Sequence, residues 1–431
     1  MRRIMYITIL TGLITLISSD RLLGQEKVVS LARAYQALES RYPLLQNAGL
    51  IDQRYAAEQA RLKMANRPRL SLQADGRLQS QTTAFPDGDG APPIAIDLPL
   101  YSSKAWLEIQ YNLLDGGRNK AQQAQQAAQH KVEKQSLAVD QYQLRRRINQ
   151  LFVQIHLNRA QIELLQTSLA DLKLRQEVIS VGIQNGVILE SELSQLKVRE
   201  LELASSITES EAAVQASLDQ LNHLTGLDLA PEVQLIFPNM GDYQEIPSLG
   251  RPEQELFQHQ AEVLGRQTDL LAANRKPQLS LYAQSGGGYP NPLNLLDNQA
   301  APFALAGFQF NWQLSGGQIF KKQQESIRLQ REALRNREAA FAFDMESAAS
   351  RYQSQLLQLS QQIEQDQEIA ALQEDILTQM AVQLDEGVIT SSDYLVQSNA
   401  SLRARQNLSL HRIQRLNLRL DLLNQRGQGF E

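Results

Sequence analysis

The sequence predicts a mainly α-helical protein that consists of two similar halves, each of which also contributes one β-hairpin. Three observations support this fold class. Long proline-free stretches have helical periodicity, short segments alternate between apolar and polar residues, and the same motifs recur in the same order about 200 residues apart. The chain has 431 residues, a net charge of −5 and no cysteine. Disulfides and thiolate metal sites are therefore excluded, and no general attraction to nucleic acid is expected.

The N-terminus resembles an export signal. Arg2 and Arg3 precede an apolar run from about Ile4 to Ile17, which is too short to cross a bilayer. We expect residues 1–25 to be a cleaved signal peptide, and the alternative is a short membrane anchor. No later run of 18 apolar residues occurs, so an exported protein without a transmembrane helix is predicted.

An internal duplication organises the chain. "QNGVILESELSQLKVREL" (184–201) resembles "DEGVITSSDYLVQSNASL" (385–402), and "ANRPRLSLQADG" (65–76) resembles "ANRKPQLSLYAQSGG" (273–287). These pairs predict a first repeat at 26–226, an inter-repeat linker at 227–252, a second repeat at 253–427 and a C-terminal tail at 428–431. A period this long is not that of a short-repeat solenoid.

Each repeat contains two long helical stretches. Apolar residues recur at steps of four and three, and proline is absent from residues 118–185. We predict long helices at about 118–185 and 318–386, return helices at 191–225 and 391–426, and shorter helices at 28–64 and 253–274. A helix of about 68 residues is roughly 100 Å long, so it needs coiled-coil partners along its length.

The strand signals lie between the helical stretches, in predicted hairpins at about 68–115 and 277–315. In "FQFNWQL", Phe308, Phe310, Trp312 and Leu314 share one face, and polar residues share the other. An apolar face with aromatic residues and a polar face are typical of a membrane β-barrel, and the alternative is a soluble sheet packed on helices. Trp106 falls on the polar face. We expect it either at the loop end of the barrel or next to a bulge that shifts the register.

Four strands are too few to close a barrel within one chain, because single-chain barrels have about eight strands or more. An open sheet edge inside lipid leaves backbone groups without hydrogen-bond partners. If the strands span a membrane, the chain must therefore oligomerise, and three chains would supply twelve strands. The long helical hairpins would then continue away from the membrane as a tunnel.

A Gly-Val-Ile turn separates the two long helical stretches of each repeat. Gly186 and Gly387 are predicted to end the first helix of each pair in the left-handed conformation. In the second repeat, Thr390 is the expected N-cap of the return helix, and Asp393 is the expected acid of a capping box.

The first repeat departs from this pattern at Leu189, which has no hydroxyl group, and we expect Ser191 to act as the cap instead. Four acidic residues flank the two turns: Asp393, Glu192, Asp385 and Glu386. One interpretation of Asp393 and Glu192 is that they only complement the helix dipole. The other is that three chains place the four acids as rings around a narrow periplasmic mouth, where they favour cations and hold the tunnel shut.

Four apolar residues, Val187, Ile188, Val388 and Ile389, occupy the same turns. Exposed apolar clusters mark partner contacts, which predicts a docking surface. The alternative is packing between helices within the tip.

The ordered set of motifs resembles the TolC-type outer-membrane efflux protein family. The matching residues are "EGVITSSDYLVQSNASL" (386–402), "NGVILESEL" (185–193), Pro68 and Pro277 before the strands, and the Gly-Gly pairs at 116–117 and 316–317. The resemblance covers about residues 28–427. Two departures are Leu189, in place of the cap hydroxyl, and Val396, where some members have a second acid.

The resemblance implies a homotrimer in which a 12-stranded β-barrel, with four strands per chain, continues into an α-helical periplasmic tunnel. It implies contact with outer-membrane lipid, docking to a periplasmic adaptor protein and, through that adaptor, an inner-membrane pump. The residues expected to meet the adaptor are Gly186, Val187, Gly387 and Val388. Asp393 is expected in an acidic constriction of the lumen.

The predicted function is a passive exit duct in the outer membrane of a Gram-negative cell. The alternative is a secreted or periplasmic coiled-coil scaffold or adhesin without a pore. An enzyme is not expected, because none of the five histidines forms a metal-binding pair and no glycine-rich phosphate loop opens a helix. No cofactor and no nucleic-acid partner are expected.

Overall fold

The computed structural model describes residues 27–81, 99–238, 250–294, 297–425 and 427. The predicted signal peptide and the predicted C-terminal tail lie outside the described residues. The same holds for most of the first hairpin loop and for the centre of the inter-repeat linker.

Helices account for most of the described residues. The elements in chain order are β1 (Val28–Ser30), α1 (Leu31–Arg41), α2 (Asn47–Met64), β2 (Arg69–Leu78), β3 (Tyr101–Leu114), α3 (Arg118–Gln184), α4 (Glu190–Thr225), β4 (Gln234–Ile236), α5 (Pro252–Ala273), β5 (Gln278–Tyr289), β6 (Ala301–Asn311), α6 (Gly317–Asp385) and α7 (Ser391–Gln425). Within the described residues, no helix has the length and apolar character needed to cross a membrane.

The chain forms two compact units. The helical unit contains the described parts of 1–48, 136–254 and 339–431, and the sheet unit contains those of 49–135 and 255–338. The long helices α3 and α6 contribute residues to both units. Each unit takes segments from both sequence repeats, so the compact units do not coincide with the two repeats.

The sheet unit contains one antiparallel sheet with the strand order β2-β3-β5-β6. The two hairpins are joined by β3 and β5, whose pairing runs from Ser103 opposite Tyr289 to Leu114 opposite Leu279, with one register shift between Asn112 and Leu114. Strands β2 and β6 are the edges of this sheet. The prediction of four antiparallel strands in a mainly helical chain is confirmed.

The apolar face of the sheet is the more exposed one. Leu72 and Phe308 are 75% and 72% exposed, whereas the polar-face residues Lys104 and Glu108 are only half-exposed. The exposed apolar side chains have no covering layer among the described residues of the unit. A soluble sheet packed on helices would have buried this face.

Trp106 lies on the polar face and is only 9% exposed. The predicted bulge at this position is wrong, because the pairing of β3 with β2 and β5 is regular here, with Trp106 opposite Gln73 and Gly286. Gly286 lacks a side chain, and a Cβ there would be 2.6 Å from the Trp106 Cβ. The glycine therefore allows the close approach of the β3 backbone at Ala105 and Trp106, which leaves no room for a side chain at position 286.

The helical unit has its own hydrophobic core around Phe152, Leu218 and Leu221, which are fully buried. Beside it, β1 pairs in parallel with β4, which joins the start of the first repeat to the inter-repeat linker. The Arg159 guanidinium donates hydrogen bonds of 2.6 Å to the carbonyl oxygens of Pro231 and Val233, just before β4. This two-stranded sheet was not predicted from the sequence.

Candidate functional site at the helix turns

Both Gly-Val-Ile turns have the same backbone geometry. Gly186 and Gly387 have φ angles of 72° and 71°, the left-handed conformation that was predicted for them. The Val187 N–H donates to the Gly182 carbonyl at 3.0 Å, and the Val388 N–H donates to the Gln383 carbonyl at 2.8 Å. These bonds satisfy carbonyl groups at the ends of α3 and α6 in the Schellman pattern.

The four apolar turn residues divide into two classes. Val187 and Val388 are 77% and 69% exposed, so they project into solvent at the turn. Ile188 and Ile389 instead pack against a buried cluster of the helical unit. A Cβ at Gly182 would be 2.3 Å from the Ile188 Cδ1 atom, so this glycine makes room for the isoleucine. The packing alternative is therefore confirmed for the two isoleucines, and the docking role of the two exposed valines stays a prediction.

The second turn contains the predicted capping box. The Asp393 N–H donates to the Thr390 Oγ1 atom at 3.2 Å, and the Thr390 N–H donates to the Asp393 Oδ2 atom at 3.2 Å. The Thr390 hydroxyl also donates to that carboxylate at 2.6 Å. The hydrogen bonds that the Asp393 carboxylate accepts from Thr390 lower the pKa of Asp393. The bond from the Thr390 side chain has the larger effect, and the bond from its backbone N–H adds to it.

The first turn is capped differently. Leu189 is the N-cap of α4 and has no side-chain capping bond, while Ser191 lies inside the helix, so the predicted Ser191 cap is wrong. Glu192 instead reaches the other repeat, where its Oε2 atom accepts a 2.6 Å hydrogen bond from the Ser391 N–H. A carboxylate near this terminus also complements the helix dipole. The first repeat therefore supplies a cap for α7 of the second.

Asp385 belongs to a second link between the repeats. The Arg175 Nη1 atom of α3 donates to the Asp385 Oδ2 atom at 2.5 Å, and its Nη2 atom lies 3.4 Å from the Asp171 Oδ1 atom. The Tyr394 hydroxyl, on a fully buried side chain, donates to the other oxygen of Asp171. Four side chains thus form one hydrogen-bonded network, which we call the tip network: Asp171, Arg175, Asp385 and Tyr394.

Charge and burial shift two pKa values in the tip network. Burial, together with the hydrogen bond to the Asp171 carboxylate, raises the pKa of Tyr394 above its ordinary value. Burial disfavours the Arg175 cation, but the bond to Asp385 and the charge of Asp171 outweigh it, so the pKa of Arg175 is raised. Both groups therefore remain protonated at neutral pH, and both donate to carboxylates.

The structure therefore places the four predicted acids in different settings. Asp385 and Glu192 bond to the opposite repeat, Asp393 bonds within its own turn, and Glu386 is exposed. Asp171, Arg175 and Tyr394 were not predicted from the sequence as site residues. Tyr394 directly follows Asp393 in the motif, but nothing in the sequence indicated that its partner lies 223 residues away.

No group of three or more histidine or acidic side chains suitable for a metal ion occurs in the described part of the chain.

Comparisons with solved structures identify the fold. No protein-family model matches the chain, and no curated protein does. The outer membrane protein VceC of Vibrio cholerae is 16% identical, with a TM-score of 0.69 over 93% of this chain and 97% of that one. The chain has the fold of an outer-membrane channel.

Two further structures of this fold agree. The outer membrane channel CmeC of Campylobacter jejuni is 15% identical and has a TM-score of 0.70, over 93% of this chain and 86% of that one. The outer membrane channel MtrE of Neisseria gonorrhoeae, solved in its open state, is 14% identical with a TM-score of 0.68, over 93% and 89%. The similarity to the outer-membrane channel fold therefore extends over both repeats.

Proposed function

We propose that the chain is one subunit of a passive, trimeric outer-membrane duct that serves a tripartite efflux or type I secretion system. The observation that carries the proposal is the exposed apolar face of the four-stranded sheet. An exposed apolar face is unfavourable in water and favourable in contact with lipid. The fold shared with outer-membrane channels supports the same conclusion.

The sheet edges favour an oligomer. Strands β2 and β6 each pair on one side only within the described chain, and in a bilayer such edges need partners. If β6 of one subunit pairs with β2 of the next, three chains give twelve strands. Twelve strands about 4.8 Å apart and tilted by about 40° enclose a ring roughly 24 Å across.

Helix α6 also has an apolar seam that the described residues of its own subunit leave exposed. The exposed residues Leu329, Phe343 and Leu357 follow one another at intervals of two heptads. Residues with that spacing lie on one side of a helix in a coiled coil. We assign this seam to contact with the neighbouring subunit of the trimer.

The tip is proposed as the docking surface for a periplasmic adaptor, which connects the duct to an inner-membrane pump. Val187 and Val388, at the exposed ends of the two turns, present mostly exposed apolar surface. Gly186 and Gly387 hold these valines outward through their left-handed conformation.

Docking can be tested with matched serine variants. The Val187→Ser/Val388→Ser double variant should bind the adaptor at least tenfold more weakly in a pull-down titration, while its thermal unfolding is unchanged. Val198→Ser serves as the control, since this valine is exposed on α4 away from the turn. Equal adaptor affinity for all three proteins would remove the docking role.

The proposed gate consists of the tip network together with Glu192, Asp393 and Glu386. The charged bonds from Arg175 to Asp385 and from Ser391 to Glu192 join the two repeats at the turns. Bonds that exist only in the closed arrangement of the tip stabilise it relative to the open arrangement. We propose that these bonds hold the tip closed until the adaptor binds.

The duct itself is tested by electrical recording. The purified protein should elute as a cross-linkable trimer and produce discrete conductance steps in a planar bilayer. A monomeric protein that never produces such steps would favour the scaffold or adhesin without a pore.

A further inference from the structure

Exposed basic residues occur at each of the four junctions between a strand of the membrane sheet and a helix. We call this set the basic collar. Its members are Lys63, Arg67 and Arg69 before or at the start of β2, Arg118 and Lys120 after β3, Arg275 and Lys276 before β5, and Lys321 and Lys322 after β6. All nine side chains belong to exposed residues of the sheet unit.

The antiparallel register brings the four junctions to one end of the sheet. Gln278 lies opposite Asn311, and Leu114 lies opposite Leu279. The β3–α3 and α5–β5 junctions touch, because a Cβ at Gly116 would lie 2.7 Å from the Lys276 Cβ. The two central junctions of the collar are therefore in contact.

Three arginines line one cavity at this end of the sheet. Arg61, Arg69 and Arg118 come from α2, β2 and α3, and they border a polar cavity of about 370 Å³. Positive charge from three separate elements is concentrated at this cavity.

The acidic residues near the collar are already occupied. The Asp115 carboxylate accepts hydrogen bonds of 2.8 Å from the N–H groups of Gly117 and Asn119, at the start of α3. Glu58 pairs with Arg61, and Glu325 pairs with Lys322. The other eight collar residues have no ion-pair partner among the described residues, and the Asp115 carboxylate is the one acidic group that lines the cavity with Arg69 and Arg118.

The collar lies where the apolar face of the sheet ends. Leu70 and Phe310 are exposed on that face, at the end of β2 and β6 that is nearest to the collar. Trp312, also exposed, donates its indole N–H to the Arg275 carbonyl at 3.2 Å. A tryptophan whose ring faces an apolar environment while its indole N–H is hydrogen-bonded is typical of the membrane–water interface. Long basic side chains beside such a belt extend their charges toward the headgroups.

We propose that the basic collar binds the phosphate groups of anionic phospholipids in the leaflet that surrounds the helix end of the barrel. The inference rests on the proposed membrane location of the sheet. Guanidinium and ammonium groups donate charge-assisted hydrogen bonds to phosphate oxygens. Each exposed Lys or Arg near an anionic surface adds about a fivefold preference for it. This lipid layer fixes the depth at which the duct sits in the membrane.

The native Trp312 provides the readout. In a Trp106→Phe background, Trp312 is the only tryptophan, because the chain has two. The full chain is reconstituted in vesicles that contain brominated phosphatidylglycerol or brominated phosphatidylcholine, and quenching of Trp312 reports which lipid lies beside it. We expect stronger quenching by the anionic lipid, and a reduction of that preference by raised salt.

Two charge-removal variants separate the collar from general charge. Arg118→Gln/Lys276→Gln/Lys321→Gln removes three such charges and should reduce the phosphatidylglycerol preference at Trp312 about 100-fold. The control Arg335→Gln/Arg337→Gln removes exposed charges of α6 that lie roughly 27 Å beyond its first residue. That distance exceeds the screening length, so the control should retain the preference.

The outcomes distinguish this inference from the proposed function. Equal quenching by both lipids refutes the collar but leaves the membrane location intact. Absence of quenching by either lipid contradicts the membrane location and the collar together. As an independent measurement, mass spectrometry of lipids that co-purify with the trimer should show less phosphatidylglycerol for the collar variant than for the control, and equal amounts would overturn the inference.

Discussion

Removing the Tyr394 hydroxyl should shift the proposed gate toward its open arrangement. Tyr394 is fully buried, and its hydroxyl donates to Asp171, which joins the return helix of the second repeat to the long helix of the first. The Tyr394→Phe variant deletes this one hydrogen bond and keeps the ring that fills the core. The substitution therefore tests the link and leaves the packing unchanged.

The magnitude follows from the chemistry of the bond. A hydrogen bond to a charged group contributes about 1.5–3 kcal/mol. Asp171 retains its contact with Arg175 at 3.4 Å, so we expect the lower end of this range. A loss of about 1.5 kcal/mol changes an equilibrium about tenfold.

Single-channel recording measures this change as the ratio of open to closed time. We expect an increase of about tenfold in Tyr394→Phe at neutral pH. Tyr142→Phe is the matched control, because the Tyr142 hydroxyl is buried without a hydrogen-bond partner among the described residues, and burial raises its pKa to about 12. If the two variants have the same open-to-closed ratio, the tip network does not hold the gate.

Two further predictions concern the helix caps at the turns. The pKa of Asp393 is lowered on folding, so its contribution to tip stability is complete above the unfolded pKa, near 3.8, and is lost as the pH falls through the lower folded value. The hydrogen-exchange protection factor of the Thr390 N–H, which corrects for the intrinsic pH dependence of exchange, should fall below about pH 3.8 in the wild type, and Asp393→Asn should show no such step. Glu192→Ala should leave the Ser391 N–H without its acceptor and destabilise the start of α7 by about 1 kcal/mol. Hydrogen exchange at Ser391 measures this loss, and unchanged protection would contradict the cross-repeat cap.

The long helices and the hairpins could be predicted because their signals are local and repeated. Heptad-like spacing over about 68 residues leaves no competing interpretation, and buried residues such as Ile148, Leu172 and Leu203 are among those that the periodicity selected. The alternation in β6 likewise identified an apolar face, which the structure leaves exposed. The turn glycines were predictable because few other residues adopt a left-handed cap.

The missed features depend on partners far apart in the chain. Strands β1 and β4 have three residues each, too few for a periodic signal, and their pairing joins residues about 200 positions apart. The bonds from Arg175 to Asp385 and from Glu192 to Ser391 also cross between repeats. Each of these residues looks like an ordinary surface residue in its own stretch of sequence. Trp106 was misjudged because its partner Gly286 lies in the other hairpin.

The bonds that join the two turns have a consequence for how such a chain can be divided. A gene fragment that encodes only the second half would begin α7 without the carboxylate that receives its first N–H, and one that encodes only the first half would leave Arg175 without Asp385. Neither fragment therefore contains all the bonding partners of its own turn. Co-expression of the two fragments should restore both bonds by complementation. The two repeats therefore depend on each other at the tip as two subunits of an obligate heterodimer do.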